Sequence, residues 1–119
     1  MADQHPATDL IVSWWSERFQ RDDKRTEFAE ALRRRVADEW RSLAEKYPGL
    51  TLRQHLEVDY DPSGALLDAL HDAGIECRGF MFSANGLLPQ KTRMYVYADS
   101  IEVVEGYGAP LVTIWRGFQ

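Results

Sequence analysis

The sequence has little of several features that would assign a protein to a class at once. Its single cysteine, Cys77, cannot form an internal disulfide, which fits either a reducing compartment such as the cytoplasm or a chain indifferent to redox conditions. The longest apolar runs, among them residues 10–12 and 80–82, span only a few residues, whereas a membrane helix needs about 18. No basic segment followed by an apolar stretch opens the sequence, so we expect no signal peptide.

An excess of positive charge is also missing. The sequence has 14 Lys and Arg against 19 Asp and Glu, a formal net charge of -5, and no basic tail. Nucleic-acid-binding proteins typically concentrate positive charge on one surface, so direct binding of nucleic acid is not expected. With 119 residues, 45% hydrophobic and 28% charged, the composition is that of one soluble globular domain over residues 1–119.

Helical periodicity dominates the first half of the sequence. The longest predicted helix covers residues 26–47, where apolar residues recur at steps of three and four. These residues are Phe28, Leu32, Val36, Trp40, Leu43 and Tyr47. A first helix is predicted over residues 9–21, with Thr8 or Asp9 as its cap. Residues 1–7 show no apolar pattern and are expected to form a flexible arm.

In the first helix, we expect both adjacent indoles, Trp14 and Trp15, to be buried. The alternative is that one of them is exposed to a partner. A third helix is predicted over residues 63–73, and it ends at Gly74, a residue suited to a left-handed cap.

The second half of the sequence is rich in strand-forming residues. Strands are predicted over residues 77–83, 92–98, 101–105 and 110–116, and a turn is predicted at Asn85-Gly86. The fold class is therefore α+β, with N-terminal helices, one of them long, packed on a mainly antiparallel sheet of about four to five strands.

Residues 50–60 allow two interpretations. Apolar residues alternate with polar ones, which predicts a half-buried strand. The spacing Thr51-x-x-Gln54 also fits a capping box, which would begin a short helix and complete a helix-turn-helix. The strand is favoured because Val58 and Tyr60 continue the alternation.

On that strand, His55, Glu57 and Asp59 share one face. An imidazole with two carboxylates is suited to metal binding or acid–base chemistry. The same positions are also where a half-buried strand places ordinary polar residues, and a metal site needs a further ligand from elsewhere. A metal site is therefore not predicted here.

Cys77 offers a second catalytic candidate, with His71 as its base. Arg78 would lower the pKa of the thiol, but free cysteines are most often buried for packing, and the sequence reveals no oxyanion donors. The sequence thus predicts no cofactor. A small hydrolase or metal-dependent enzyme using either set remains the first alternative function.

A third candidate is the run Arg33-Arg34-Arg35 within the long helix. Consecutive helical residues lie about 100° apart, so these side chains fan around the helix instead of forming one contact stripe. A DNA-binding regulator acting through residues 26–58 is therefore the second alternative.

Partner binding is predicted in two connections of the β-rich half. The residues assigned to it are Leu87, Leu88, Pro89, Gln90 and Tyr107. Apolar residues in a loop either fold back on the core or form a docking patch, and the Gly-Tyr-Gly turn is suited to presenting an aromatic side chain.

The favoured function is that of a small acidic, non-enzymatic protein that occupies a protein or nucleoprotein partner. Phage-type inhibitors of bacterial machinery, such as anti-CRISPR proteins, and adaptors of nucleic-acid-handling complexes have this size and character. A homodimer is compatible with the sequence.

Overall fold

The chain folds as helices packed on one face of an antiparallel sheet. A computed structural model describes residues 5–49, 53–59, 62–75 and 87–117. The helices are α1 (Thr8–Glu17), α2 (Arg25–Lys46) and α3 (Ala65–Asp72), and the strands are β1 (Arg53–Val58), β2 (Thr92–Tyr97), β3 (Ser100–Val104) and β4 (Leu111–Arg116). The predicted α+β class is confirmed.

Helix α2 is one continuous element of 22 residues, as its periodicity predicted. A short 3₁₀ turn, Asp22–Lys24, leads into it. Its buried stripe contains Phe28, Leu32, Val36 and Trp40, spaced by four residues. Such a stripe packs against the core while the charged residues between its members face water.

Helix α1 is shorter than predicted and lacks the predicted cap. Thr8 is its first helical residue, and the Thr8 hydroxyl donates to the carbonyl of His5 instead of capping the helix. At the other end, the Arg25 guanidinium donates to the carbonyls of Ser16 and Phe19. These bonds satisfy carbonyls that a longer helix would use, which accounts for its end at Glu17.

Of the predicted flexible arm, residues 1–7, the first four residues lie outside the described part of the chain, whereas His5 and Ala7 are buried. His5 is only 1% exposed, and its ring lies edge-on to Trp40 and Trp115, at centroid distances of 4.9 and 5.0 Å. Its Nδ1 accepts a hydrogen bond from the Ala7 N–H (2.9 Å), and its Nε2 lies 2.7 Å from the Tyr97 carbonyl oxygen. With both ring nitrogens satisfied, the imidazole is tolerated in the core.

The sheet has the strand order β1-β2-β3-β4, with every neighbouring pair antiparallel. Residues 53–58 form a strand, so the alternative helix is wrong for this segment and no helix-turn-helix forms. Residues 50–52, which carry the start of the capping-box pattern, lie outside the described part of the chain. The predicted strand 77–83 and the turn at 85–86 also lie outside it.

Alternation along the strands gives the sheet one buried and one open face. Leu56, Met94 and Val96 face the helices and are buried in the same core as Trp14 and Trp15. The burial of both indoles is thus confirmed. Helix α3 ends as predicted before Gly74, whose φ of 83° is the left-handed conformation that glycine favours.

Candidate functional site

The most exposed aromatic residue of the described chain is Tyr107, in the turn between β3 and β4. It is 91% exposed, the highest exposure among the large hydrophobic residues described. The flanking Gly106 and Gly108 have φ angles of 93° and 77°. Only glycine adopts these angles without strain, so the Gly-Tyr-Gly sequence directly produces a turn that presents the ring to solvent.

A surface cavity of about 440 Å³ lies next to this turn. Pro89, Gln90 and Gly106 line it, so the structure brings the two predicted binding connections together. An ion pair forms part of its wall, with Arg18 Nη2 lying 2.8 Å from Glu105 Oε1. Arg18 also lies 3.7 Å above the Trp14 ring, a cation–π contact that fixes the guanidinium against α1.

A second cavity, of about 230 Å³, is lined in part by Tyr107 itself. Lys91, Arg93 and Tyr107 line it together with Glu57 and Asp59, and Lys91 forms an ion pair with Asp59. The cavity therefore mixes both signs of charge and is suited to polar or charged groups of a partner. We define the Tyr107 corner as Pro89, Gln90, Lys91, Gly106 and Tyr107.

Leu88, which the sequence assigned to partner binding, is buried in the structure. Its side chain is 3% exposed and belongs to the hydrophobic core. Leu87 is half-buried and packs against the same core, and its carbonyl accepts a hydrogen bond from the Gln20 N–H (2.9 Å). The loop thus folds its apolar residues back onto the domain, while Pro89 and Gln90 remain half-exposed at the cavity.

The set of His55, Glu57 and Asp59 is only partly assembled. His55 Nε2 lies 3.2 Å from Glu57 Oε1, and the His55 ring stacks on Tyr95 with a centroid distance of 4.9 Å. Asp59 binds Lys91 instead. Within the described ranges, no group of three His, Cys, Asp or Glu side chains is placed to hold a metal ion.

The other catalytic candidate pairs Cys77 with His71. His71 lies on the exposed last turn of α3. Cys77 lies outside the described residues, so the pair stays a prediction.

Several arginines of α2 are engaged with carboxylates. Arg35 binds Asp72 through two hydrogen bonds of 2.8 and 3.0 Å, and Arg33 and Arg41 pair with Asp9 and Asp38. The Arg35 hydrogen bonds hold the pKa of Asp72 below its usual range. The surface of α2 around these residues therefore carries both signs of charge.

Two features were not predicted from the sequence: the positions of Lys91 and Arg93 at the second cavity, and the exposure of Leu111 and Val112 on β4. A signal for the second pair exists in the sequence, because residues 111–115 are apolar at four of five positions. Such a strand does not follow the simple alternation of a half-buried strand.

Comparison with known proteins assigns no family to this arrangement. Among the described residues, no helix is both long and apolar enough to cross a bilayer. No protein-family model matches the chain, and no curated protein is significantly similar to it.

Proposed function

We propose that the protein is a non-enzymatic binding protein that engages a macromolecular partner through the Tyr107 corner. The observation that carries this proposal is the 91% exposure of Tyr107 at a turn whose residues line two cavities. A tyrosine supplies a large contact area with few rotatable bonds, and adjacent recesses can accept side chains from the opposite surface.

The partner is proposed to be a protein or a nucleoprotein contacted through its protein component. The net charge of -5 and the paired arginines of α2 weigh against direct binding of a phosphate backbone. An inhibitor of the phage type or an adaptor of a nucleic-acid-handling complex would act in this way. That biological placement, like a cytoplasmic location, stays a prediction.

The test begins with affinity capture of a partner from the native host, followed by calorimetry with the purified partner. We expect Tyr107→Ala to weaken binding by about 1 to 3 kcal/mol, roughly 5- to 150-fold. Tyr47→Ala is the matched control because Tyr47 is also exposed, by 51%, but lies at the end of α2.

The charged surface of α2 is the competing candidate for the binding site. Replacing Arg34 and Arg41 with Glu should change affinity far less, and mainly at low salt, because exposed charges are solvated and screened. If these reversals abolish binding while Tyr107→Ala leaves it unchanged, the proposed site is wrong and the helix surface is the binding site.

A further inference from the structure

The hydrogen bonds of His5 determine its protonation state. The Tyr97 carbonyl oxygen can only accept, so the His5 Nε2 that lies 2.7 Å from it carries a hydrogen and donates. The Ala7 N–H can only donate, so the Nδ1 that lies 2.9 Å from the Ala7 nitrogen carries none. His5 is therefore the neutral imidazole with its hydrogen on Nε2, and both of its ring nitrogens are used.

A further proton on this ring has no acceptor. It would bind at Nδ1, where it meets the Ala7 N–H, so two donors would face each other and their hydrogen bond would be lost. The ring is buried between Trp40 and Trp115, where water does not solvate an imidazolium. Protonation therefore replaces a satisfied neutral group with an unpaired buried charge.

Charged side chains on the packed elements do not compensate such a charge. Among the described residues, the closest along or next to α1, α2, β2 and β4 are Asp9, Glu39, Arg41, Asp99 and Arg116. The first three are each bound to another side chain. Asp99 and Arg116 are exposed, and Arg116, next to Trp115 on a strand, points to the opposite face of the sheet. Burial therefore dominates: it lowers the pKa of His5 below the ordinary 6.5, and the hydrogen bond to the Tyr97 carbonyl raises it by less.

We propose that His5 is a pH-dependent latch, which holds residues 5–6 on the core as the neutral imidazole and releases them when Nδ1 takes up a proton. Within the described chain, one hydrogen bond, from His5 Nε2 to the Tyr97 carbonyl, ties this segment to the sheet. Its other hydrogen bonds join it to Ala7 and Thr8, at the start of α1. The segment can therefore leave the core while α1 stays folded.

Release of the latch uncovers the surfaces of Trp40 and Trp115 that the His5 ring contacts. Trp115 lies four residues along β4 from Leu111, or about 13 Å, so this surface is separate from the Tyr107 corner. The protein thus gains a second, aromatic surface that becomes accessible as the pH falls. The latch does not depend on the proposed function.

Nitrogen-15 NMR of the full chain tests the protonation state. We expect His5 to carry its hydrogen on Nε2 at pH 7.5 and to titrate with a pKa below 6.5. A hydrogen on Nδ1 would overturn the proposal. So would a pKa of 6.5 or above, which a cation–π contact with the two indoles would produce.

Native-state hydrogen exchange tests the release. After correction for the intrinsic exchange rate, protection of the Ala7 and Thr8 amides should fall by about three- to tenfold between pH 7.5 and pH 5.5, because a released histidine takes up a proton with a pKa near 6.5. Low concentrations of guanidinium should not accelerate this exchange, since a local opening exposes little surface. They should accelerate exchange of the Ile11 amide, which donates to the Ala7 carbonyl within α1.

Two histidine variants complete the test. His5→Gln keeps a donor for the Tyr97 carbonyl but takes up no proton, so the pH dependence at Ala7 should disappear. It should persist in His55→Gln, the matched control at an exposed histidine. Persistence in His5→Gln, or equal protection and equal guanidinium dependence of Ala7 and Ile11, would show that no latch exists. If His5→Gln does not fold, the titration and the guanidinium dependence of wild type decide.

Discussion

Replacing Leu88 with alanine tests whether its side chain belongs to the hydrophobic core. The Leu88 side chain is 3% exposed and contacts the core, so Leu88→Ala removes buried methyl groups and leaves a cavity. Such changes cost about 2 to 5 kcal/mol. Tyr107→Ala, at a residue that is 91% exposed, should change the free energy of unfolding by no more than about 0.5 kcal/mol.

These energies convert to melting temperatures through the entropy of unfolding. At about 2.1 cal/mol/K per residue, 119 residues give roughly 250 cal/mol/K, so 1 kcal/mol corresponds to about 4 °C. Leu88→Ala should then lower the melting temperature by about 8 to 20 °C, and Tyr107→Ala by about 2 °C or less.

Thermal unfolding followed by circular dichroism measures both variants under the same conditions. Guanidinium unfolding provides the free energies independently of the thermal conversion. If Leu88→Ala has the same melting temperature as wild type and also weakens partner binding, then Leu88 lies on the surface and the packing described for residues 87–90 is wrong.

Burial of His5 lowers the pKa of its imidazole below the ordinary value of 6.5, so the unfolded chain binds more protons, and stability should fall as the pH drops below about 6.5. Melting curves between pH 8 and pH 5 should show this loss of stability in wild type and in His55→Gln, a control at an exposed histidine. The loss should be much smaller in His5→Gln. If the melting temperature depends equally on pH in all three proteins, His5 is not its cause. Trp40→Ala should cost about 3 to 5 kcal/mol because Trp40 is buried on α2 against the His5 ring. A melting temperature within a degree or two of wild type would show that Trp40 contributes little to the core.

Local patterns were sufficient to predict most elements. The periodicity of residues 26–47 predicts α2 to within one residue at each end, because an apolar stripe at every fourth position is compatible only with a helix. The alternation of apolar and polar residues predicts β1 in the same way, because it matches the period of a strand. The turn around Tyr107 follows from its two glycines, whose left-handed φ angles few other residues adopt.

Burial that depends on distant partners could not be predicted in this way. His5 lies in the core because Tyr97, 92 residues away, supplies a carbonyl and two indoles surround its ring. Leu88 lies in a loop whose backbone is tied to Gln20.

The connectivity of the sheet sets an order for folding. Two residues join β2 to β3 and six join β3 to β4, whereas residues 59–91 separate β1 from β2. Closing this longer loop costs about 1.5 kcal/mol more in chain entropy than closing the six-residue one. The three strands β2 to β4 can therefore form from local contacts, and we expect β1 to join the sheet later. In pulsed hydrogen exchange during refolding, we expect protection at Val103 before Leu56, and the reverse order would show that β1 docks first.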